Sequence, residues 1–365
     1  MKTPSRVAAL VAALGLALLM IPLGSPATAK LAPVLAVTSS IDPADPQAVS
    51  TGGDTEGIQF KVSTTEAASV TATATGPGLT ISDPVQVLAV TATTYFSFHV
   101  TATTPGFHAL TVTVSATGAT PAQVTLPYVW AAGSPAFPST GSLAGRSYGW
   151  QGSTEVAGLE SSIRDTEMVS FVSSTWAYLG LPPAGLPKCT APGKGCVPYA
   201  YDAATGLVQV GTGIVGRVVG DDLRTDGFVP ADEQVGELFA YEILTDPLVF
   251  AKAGSRFQGF WRYSDDHYPV GLVYEAVAFH RNGTYVLAYA VDNGKTKQVS
   301  GTYRVGKRGM ITFRAKGKVV QVGTLAAVCA KLGKPKPAKL GFWLVLSGPK
   351  GKSGDGNLLE PEKRK

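Results

Sequence analysis

The chain has 365 residues, of which 45% are hydrophobic and 16% are charged, and its formal net charge is +5. Gly (42) and Pro (25) are frequent, whereas Cys (three) and His (four) are rare. The apolar content is sufficient for a buried core and excludes wholesale disorder. Because His is so scarce, few positions are available for proton-transfer chemistry.

Residues 1–29 predict a removable export signal. Lys2 and Arg6 form a basic start, residues 7–23 are almost uniformly apolar, and Ala27-Thr28-Ala29 is a small-residue cleavage site. The apolar stretch is short for a membrane span of about 20 residues. We therefore expect a secreted protein, with retention at the cell surface as a compatible location.

Residues 31–131 are rich in Thr, Ala and Val and predict an all-β domain. Apolar residues alternate with polar ones, which places every second side chain on one face of a strand. The alternating stretches are residues 58–62, 70–74, 96–100, 110–114 and 124–130. Several short strands in about 100 residues predict a β-sandwich. The segment resembles bacterial immunoglobulin-like domains, a resemblance that implies a spacer or an adhesion module.

A linker composition at residues 132–144 separates this domain from a first repeat at residues 145–250. Within the repeat, residues 168–172 predict a strand, and residues 199–202 and 207–210 predict a hairpin. Residues 231–244 predict a helix, because acidic residues follow Pro230 and apolar residues recur at roughly helical intervals. Asp246-Pro247 is expected to end that helix.

A second repeat at residues 255–348 predicts an antiparallel β meander. Gly259-Phe260-Trp261 opens it, strands at residues 272–279 and 284–290 flank the turn Asn282-Gly283, and residues 300–305 and 310–313 continue it. The order of these motifs resembles lipocalin-like barrels of secreted bacterial proteins over residues 256–346. Residues 349–365 predict a basic disordered tail.

The two repeats echo each other in sequence. Tyr201-Asp202 with Thr205-Gly206 matches Phe279 with Asn282-Gly283, and Gly216-Arg217-Val218 matches Gly301-Thr302-Tyr303. Two degenerate copies are compatible with two small barrels or with one larger barrel. The predicted fold class is therefore all-β, with an immunoglobulin-like sandwich followed by one or two lipocalin-like barrels.

The cysteines predict one disulfide. Cys189 and Cys196 lie in a Pro- and Gly-rich loop of a chain that we expect to be exported, so disulfide formation between them is the default. Cys329 has no predicted partner within the chain. We expect it to be buried as a small hydrophobic residue, with an intermolecular disulfide as the alternative.

Charge is distributed very unevenly. Residues 31–140 contain one Lys and six acidic residues, whereas residues 295–365 contain 17 Lys or Arg and three acidic residues. Clustered surface cations attract polyanions and make binding depend on salt. The expected partners are anionic cell-wall polymers, phospholipid headgroups or host glycosaminoglycans, without specific recognition of nucleic acid. The candidate anion-binding residues are Arg314, Lys316, Lys318, Lys331, Lys334, Lys336 and Lys339.

Few residues suggest catalysis or metal binding. Asp265, Asp266 and His267 are adjacent and form a weak candidate for divalent-cation or acid–base chemistry, although a solvated loop explains the same residues and is the favoured interpretation. Asp42, Asp45, Asp54 and Glu56 lack the regular spacing of a calcium loop. No H-E-x-x-H, phosphate-binding loop or zinc-spaced Cys pair occurs, and we predict no catalytic residue and no cofactor.

These patterns favour a secreted, non-enzymatic binding or adhesion protein. Carriage of a small apolar ligand inside a barrel is one alternative, and a secreted hydrolase that uses the residues around His267 is another. Aromatic side chains would contribute to binding where they are exposed, although core packing is their commoner use: Trp150, Trp176, Trp261 and Trp343.

Overall fold

The computed structural model describes residues 31–52, 56–133, 137–155, 162–226, 242–244, 246–262, 273–290, 295–328, 342–347, 350 and 354–361. These residues contain 26 strands, and their one helical element is a short 3-10 turn at Lys307–Gly309. The predicted all-β fold class is confirmed. The leader, Cys329 and the predicted helix up to residue 241 lie outside the described residues.

Nine strands at the N-terminal end of the described chain form a two-sheet sandwich. In chain order they are β1 (Leu35–Ser39), β2 (Gln47–Val49), β3 (Glu56–Thr64), β4 (Ala68–Thr75), β5 (Leu79–Ser82), β6 (Val85–Val90), β7 (Thr93–Ala102), β8 (Gly106–Ser115) and β9 (Ala122–Ala131). One sheet has the order β1-β3-β7-β5 and the other β2-β9-β8-β4-β6. All five strands predicted from alternation are confirmed, because their inward side chains fill one core that includes Phe60, Phe96 and Phe98.

The next strands form a ring that we call the first barrel. They are β10 (Ser147–Glu155), β11 (Ser162–Phe171), β12 (Trp176–Leu179), β13 (Cys196–Tyr201), β14 (Leu207–Val210), β15 (Ile214–Val219), β16 (Asp222–Asp226), β17 (Glu242–Leu244) and β18 (Asp246–Phe250). Each strand from β10 to β17 pairs antiparallel with the next. The segment then returns to β10, because Pro247 and Asp246 in β18 pair with Tyr148 and Gly149.

The remaining eight strands form the second barrel. They are β19 (Gly259–Arg262), β20 (Val273–Phe279), β21 (Thr284–Ala290), β22 (Thr296–Val305), β23 (Met310–Ala315), β24 (Lys318–Val328), β25 (Phe342–Ser347) and β26 (Gly354–Pro361). Neighbours in sequence pair antiparallel throughout. The pairing of Trp261 with Pro361 and of Arg262 with Glu360 closes the ring. The strand pairings therefore form two rings rather than one.

Two local predictions are wrong where the structure describes them. Glu242–Leu244 is a strand that pairs with β16, not the end of a helix, and Asp246-Pro247 begins β18. Gly354–Pro361, within the expected disordered tail, is a strand between β25 and β19. In both cases the segment fills the last gap in a ring and satisfies two otherwise open strand edges. Each closing strand contains an acidic residue followed by proline: Asp246-Pro247 in β18 and Glu360-Pro361 in β26.

The two barrels correspond residue by residue, but not with the alignment that the sequence suggests. Tyr199 on the fourth strand of the first barrel pairs with Val210, and Tyr303 on the fourth strand of the second pairs with Phe313. On the sixth strands, Gly216 lies opposite Val208 and Gly323 lies opposite Ile311. These registers match Tyr199 with Tyr303 and Gly216 with Gly323, which supports an internal duplication.

The barrels pack directly against each other. Leu248 to Phe250 in β18 pair with Val328 to Ala326 in β24, so a shared strand contact joins the two rings. Met168, Leu248, Ala326 and Trp343 form a separate buried cluster at this junction. Backbone pairing and apolar burial thus both hold the second barrel to the first.

Candidate functional site

The charged side chains that the structure describes on the second barrel up to residue 350 are cationic. Every charged side chain that the structure describes between residues 251 and 350 is an exposed Lys or Arg. Like charges clustered on one surface create a positive potential that attracts anions. The members are Lys252, Arg256, Arg281, Lys295, Lys297, Arg304, Lys307, Arg308, Arg314, Lys316, Lys318 and Lys350.

Three predicted anion-binding residues, Arg314, Lys316 and Lys318, surround the β23–β24 hairpin instead of sharing one face of a longer strand. β23 ends at Ala315, and a two-residue turn follows in which Lys316 and Gly317 have φ angles of 48° and 74°. Positive φ at both turn residues matches the twist of the flanking strands, so a Lys-Gly pair reverses the chain here. The sequence prediction missed this turn because it assumed that the strand continues.

Arg304 joins this surface from the neighbouring strand. On β22, Tyr303 and Val305 are buried and Arg304 points outward; on β23, Phe313 is buried and Arg314 points outward. The alternation of each strand predicts these directions, but only the β22–β23 register shows that the two arginines are neighbours.

The surroundings of this pair are neutral. The outward residues of β21 nearest this pair are Thr284 and Val286, beside Thr302 and Ser300. Among the described residues, ion pairs join the sandwich to the first barrel, and none involves Arg304, Arg314, Lys316 or Lys318. The positive charge of the β22–β24 surface is therefore not compensated by the acidic side chains that the structure describes.

The other predicted sites lie elsewhere or are not described. Lys331, Lys334, Lys336, Lys339, Asp265, Asp266 and His267 lie outside the described residues. Within the described ranges, no group of three His, Cys, Asp or Glu side chains could hold a metal ion. In the same ranges, no helix is long and apolar enough to cross a membrane.

Asp42 and Asp45 bind arginines of the first barrel. Arg217 donates from Nη2 to Asp42 Oδ2 and from Nε to Asp45 Oδ1, both at 2.7 Å, and Arg224 Nη1 lies 3.3 Å from Asp45 Oδ2. The Ala44 N–H bond, together with the charges of the two arginines, holds the pKa of Asp42 below its usual 3.8. These carboxylates attach the sandwich to the first barrel and are thereby occupied.

The predicted disulfide between Cys189 and Cys196 is confirmed, with an S–S distance of 2.04 Å. It closes part of a loop that lies across the second barrel. The Gly185 N–H donates to Thr324 Oγ1 (2.6 Å), and Arg308 both accepts from the Leu186 N–H and donates to the Pro187 carbonyl (2.9 Å each). The loop of one barrel thus covers part of the outer wall of the other.

Aromatic side chains fill the described interior of the second barrel near the start of β19. Phe279 contacts Tyr303 with ring centroids 5.0 Å apart, and Phe257 contacts Phe342 at 5.0 Å. The Phe257 N–H donates to the Tyr303 hydroxyl (2.6 Å). Burial raises the pKa of Tyr303, so its phenol stays protonated near neutral pH. This packing favours a filled core at this end over a ligand cavity.

The tryptophans whose side chains are described are core residues. Trp343 is 1% exposed and lies in the cluster between the barrels. Trp176 is partly buried and packs beside the disulfide. The side chains of Trp150 and Trp261 lie outside the described part of the chain. The tryptophans with described side chains therefore do not mark a binding surface on the barrels, and Phe260 on β19 is an exposed aromatic residue, at 37% exposure.

A scan against protein-family models found no match, and a search of the curated proteins returned no relative.

Proposed function

We propose that the protein is a secreted or cell-surface, non-enzymatic binding protein whose second barrel binds anionic polymers. One observation carries the proposal: every charged side chain described between residues 251 and 350 is an exposed cation. Such a surface raises the local concentration of polyanions and binds them through many weak contacts.

The rest of the molecule suits a presenting role. The sequence resemblance to immunoglobulin-like domains suggests a spacer, and the resemblance of the repeats to lipocalin-like barrels suggests a stable β scaffold. The contacts of Arg217 with Asp42 and Asp45 attach the spacer to the first barrel, and β18 attaches the first barrel to the second. Along the sequence, the cationic barrel therefore follows the proposed export signal, the spacer and the first barrel.

The alternative of a small-ligand carrier has less support. Its ligand would occupy the barrel interior, where the described inward side chains of the second barrel pack against each other in one cluster. Binding on the outer wall requires no cavity, so the packed interior is compatible with the polymer proposal.

Salt dependence tests the proposed function. The full exported chain, without residues 1–29, is titrated with immobilised polyanion over a tenfold range of salt concentration. If about three cations release counterions, affinity falls by about a hundredfold over that range. Dextran, a neutral polymer, is the matched control and should not bind. Affinity that does not change with salt would contradict the proposal.

A further inference from the structure

The outer face of β22 and β23 holds a checkerboard of two arginines and two threonines. Thr302 lies opposite Arg314, and Arg304 lies opposite Thr312. Side chains directly opposite each other have Cβ atoms about 5 Å apart, and diagonal neighbours lie roughly 7–8 Å apart. Arg314 Nη1 donates to the Gly317 carbonyl at the hairpin tip (3.4 Å), and rotation of this side chain would bring both guanidinium groups together over the threonines.

This group of four side chains is rich in hydrogen-bond donors. Each guanidinium presents five N–H donors in a planar fork and accepts no hydrogen bond, and each threonine adds a hydroxyl donor. Two forks with hydroxyls between them suit an anion with several acceptor oxygens, and arginine forks bind phosphate in a bidentate manner. A phosphate group therefore fits this chemistry better than an isolated carboxylate.

The two arginines have no described acidic neighbour to offset their repulsion. The adjoining strands present Thr284 beside Thr302, and Val322 beside Thr312. Arg304 and Arg314 are diagonal neighbours of the same sign, so their charges repel each other. A bound anion would convert this repulsion into two attractions, so the free energy of binding includes its relief.

The positive charge continues toward the tip of the β23–β24 hairpin. Arg314 lies two residues beyond Arg304 along the β22–β23 ladder, a step of about 7 Å, and Lys316 follows in the hairpin turn, where the ladder has ended. Cations that follow one another toward the hairpin tip fit an extended chain with repeated anionic groups.

A membrane surface fits this wall less well. Peripheral membrane binding combines cations with a sizeable exposed apolar face. Among the described outward residues of β22 and β23, Met310 is the single large exposed hydrophobic side chain, at 37% exposure. The wall therefore offers charge and hydroxyl groups without an apolar patch to insert.

We infer that Arg304 and Arg314, with Thr302 and Thr312, form a clamp for phosphate groups of a phosphodiester polymer, and that Lys316 extends the row. The inference rests on the proposed function, because it names the ligand class of the same cationic surface.

The test uses the full exported chain and poly(glycerol phosphate) as the probe, with polyglutamate of similar length as the comparison. The double variant Arg304→Gln/Arg314→Gln removes the clamp. The matched control Lys252→Gln/Arg281→Gln removes the same charge from exposed positions outside β22–β24. Losing two charged hydrogen-bonding groups should weaken poly(glycerol phosphate) binding at least about tenfold, whereas the control should lose about threefold or less.

A conservative variant separates the planar fork from its charge. Arg304→Lys/Arg314→Lys keeps two positive charges but loses the bidentate geometry. We expect it to bind polyglutamate like the unchanged protein and to lose most of the preference for poly(glycerol phosphate). Unchanged thermal unfolding would show that each variant folds, as expected for exposed side chains.

Three outcomes would overturn the clamp, and they differ in what they say about the proposed function. Equal losses for the clamp and control variants would show diffuse binding, which leaves the proposed function intact. No binding of either polymer by the unchanged protein would refute both. Tighter binding to phosphatidylglycerol vesicles than to poly(glycerol phosphate), lost in the clamp variant, would replace the polymer with a membrane surface.

Discussion

The two barrels have similar interiors but differ in the charges on their outer surfaces. In each, the fourth strand carries a tyrosine that contacts the phenylalanine ending the second strand: Phe171 with Tyr199 at 4.7 Å, and Phe279 with Tyr303 at 5.0 Å. The described charged side chains of the first barrel include both signs, for example Asp202 and Lys194, whereas those of the second up to residue 350 are all cations. The ring geometry constrains the inward positions, and the outward positions were free to diverge.

The largest effect is expected at the glycine that both sixth strands share. A Cβ on Gly323 would lie 2.0 Å from the Val345 carbonyl oxygen, and a Cβ on Gly216 would lie 2.6 Å from that of Arg224. Because the obstacle is backbone in both cases, the strands must separate to admit a methyl group. We expect Gly323→Ala to destabilise the protein by about 3 kcal/mol and Gly216→Ala by roughly half as much.

Chemical denaturation of the full chain measures both variants, and hydrogen exchange shows which barrel opens. Thr296→Ala, at an exposed position on β22, is the control and should change little. Equal destabilisation by Gly216→Ala and Gly323→Ala would contradict the difference between the 2.6 Å and 2.0 Å approaches.

The disulfide lies in the first barrel, so its removal distinguishes the stability of that barrel from the stability of the second. Cys189→Ser/Cys196→Ser should cost about 2 kcal/mol, since the bond closes a short loop. The amide hydrogens of Gly185 and Leu186, which bond to Thr324 and Arg308 of the second barrel, should exchange faster. Without the disulfide, the loop that carries these amides is less restricted. Hydrogen exchange at Gly185 and Leu186 is the readout, with Lys188→Ser as the control. Unchanged exchange there would show that docking on the second barrel, not the disulfide, orders the loop.

The buried tyrosines test how far the correspondence goes. Leu143 N–H donates to the Tyr199 hydroxyl (3.0 Å), as Phe257 N–H does to that of Tyr303 (2.6 Å). Each phenylalanine variant leaves a buried N–H without its acceptor, so Tyr199→Phe and Tyr303→Phe should each cost about 1.5 kcal/mol. Denaturation of each single variant and of the double variant gives the values. A large difference between the free energies of unfolding of the two single variants would show that the two tyrosines are not equivalent.

The sequence predicts individual strands well because alternation is a local signal. Thr284–Ala290 was predicted to the residue, helped by the Asn282-Gly283 turn before it. Closure is not local: Gly354–Pro361 has a polar composition and becomes a strand only because β25 and β19 leave a gap for it. Residue composition alone therefore favours a disordered tail.

The candidate site divides in the same way. Arg314, Lys316 and Lys318 were found as a charge cluster, but the role of Arg304 depends on a cross-strand register that the sequence does not encode locally. The contacts of Arg217 with Asp42 and Asp45 join residues more than 170 positions apart, so no pattern of spacing predicts them.

The smallest expected effect concerns the junction of the first barrel with the sandwich. The pKa of Asp42 lies below 3.8 in the folded protein, so the carboxylate stabilises the junction fully above that pH and loses its effect as pH falls through the lowered pKa. Its side chain is 42% exposed, which limits the contribution to on the order of 0.5 kcal/mol. Relative to the intrinsic exchange rate at each pH, the protection of amides in β15 and β16 should therefore fall below about pH 3.8 while that of the second barrel stays constant. Asp42→Asn should show the faster exchange already at neutral pH and a weaker dependence on acid. Equal acid sensitivity in the variant and the unchanged protein would assign the junction's stability to Asp45 and apolar contacts instead.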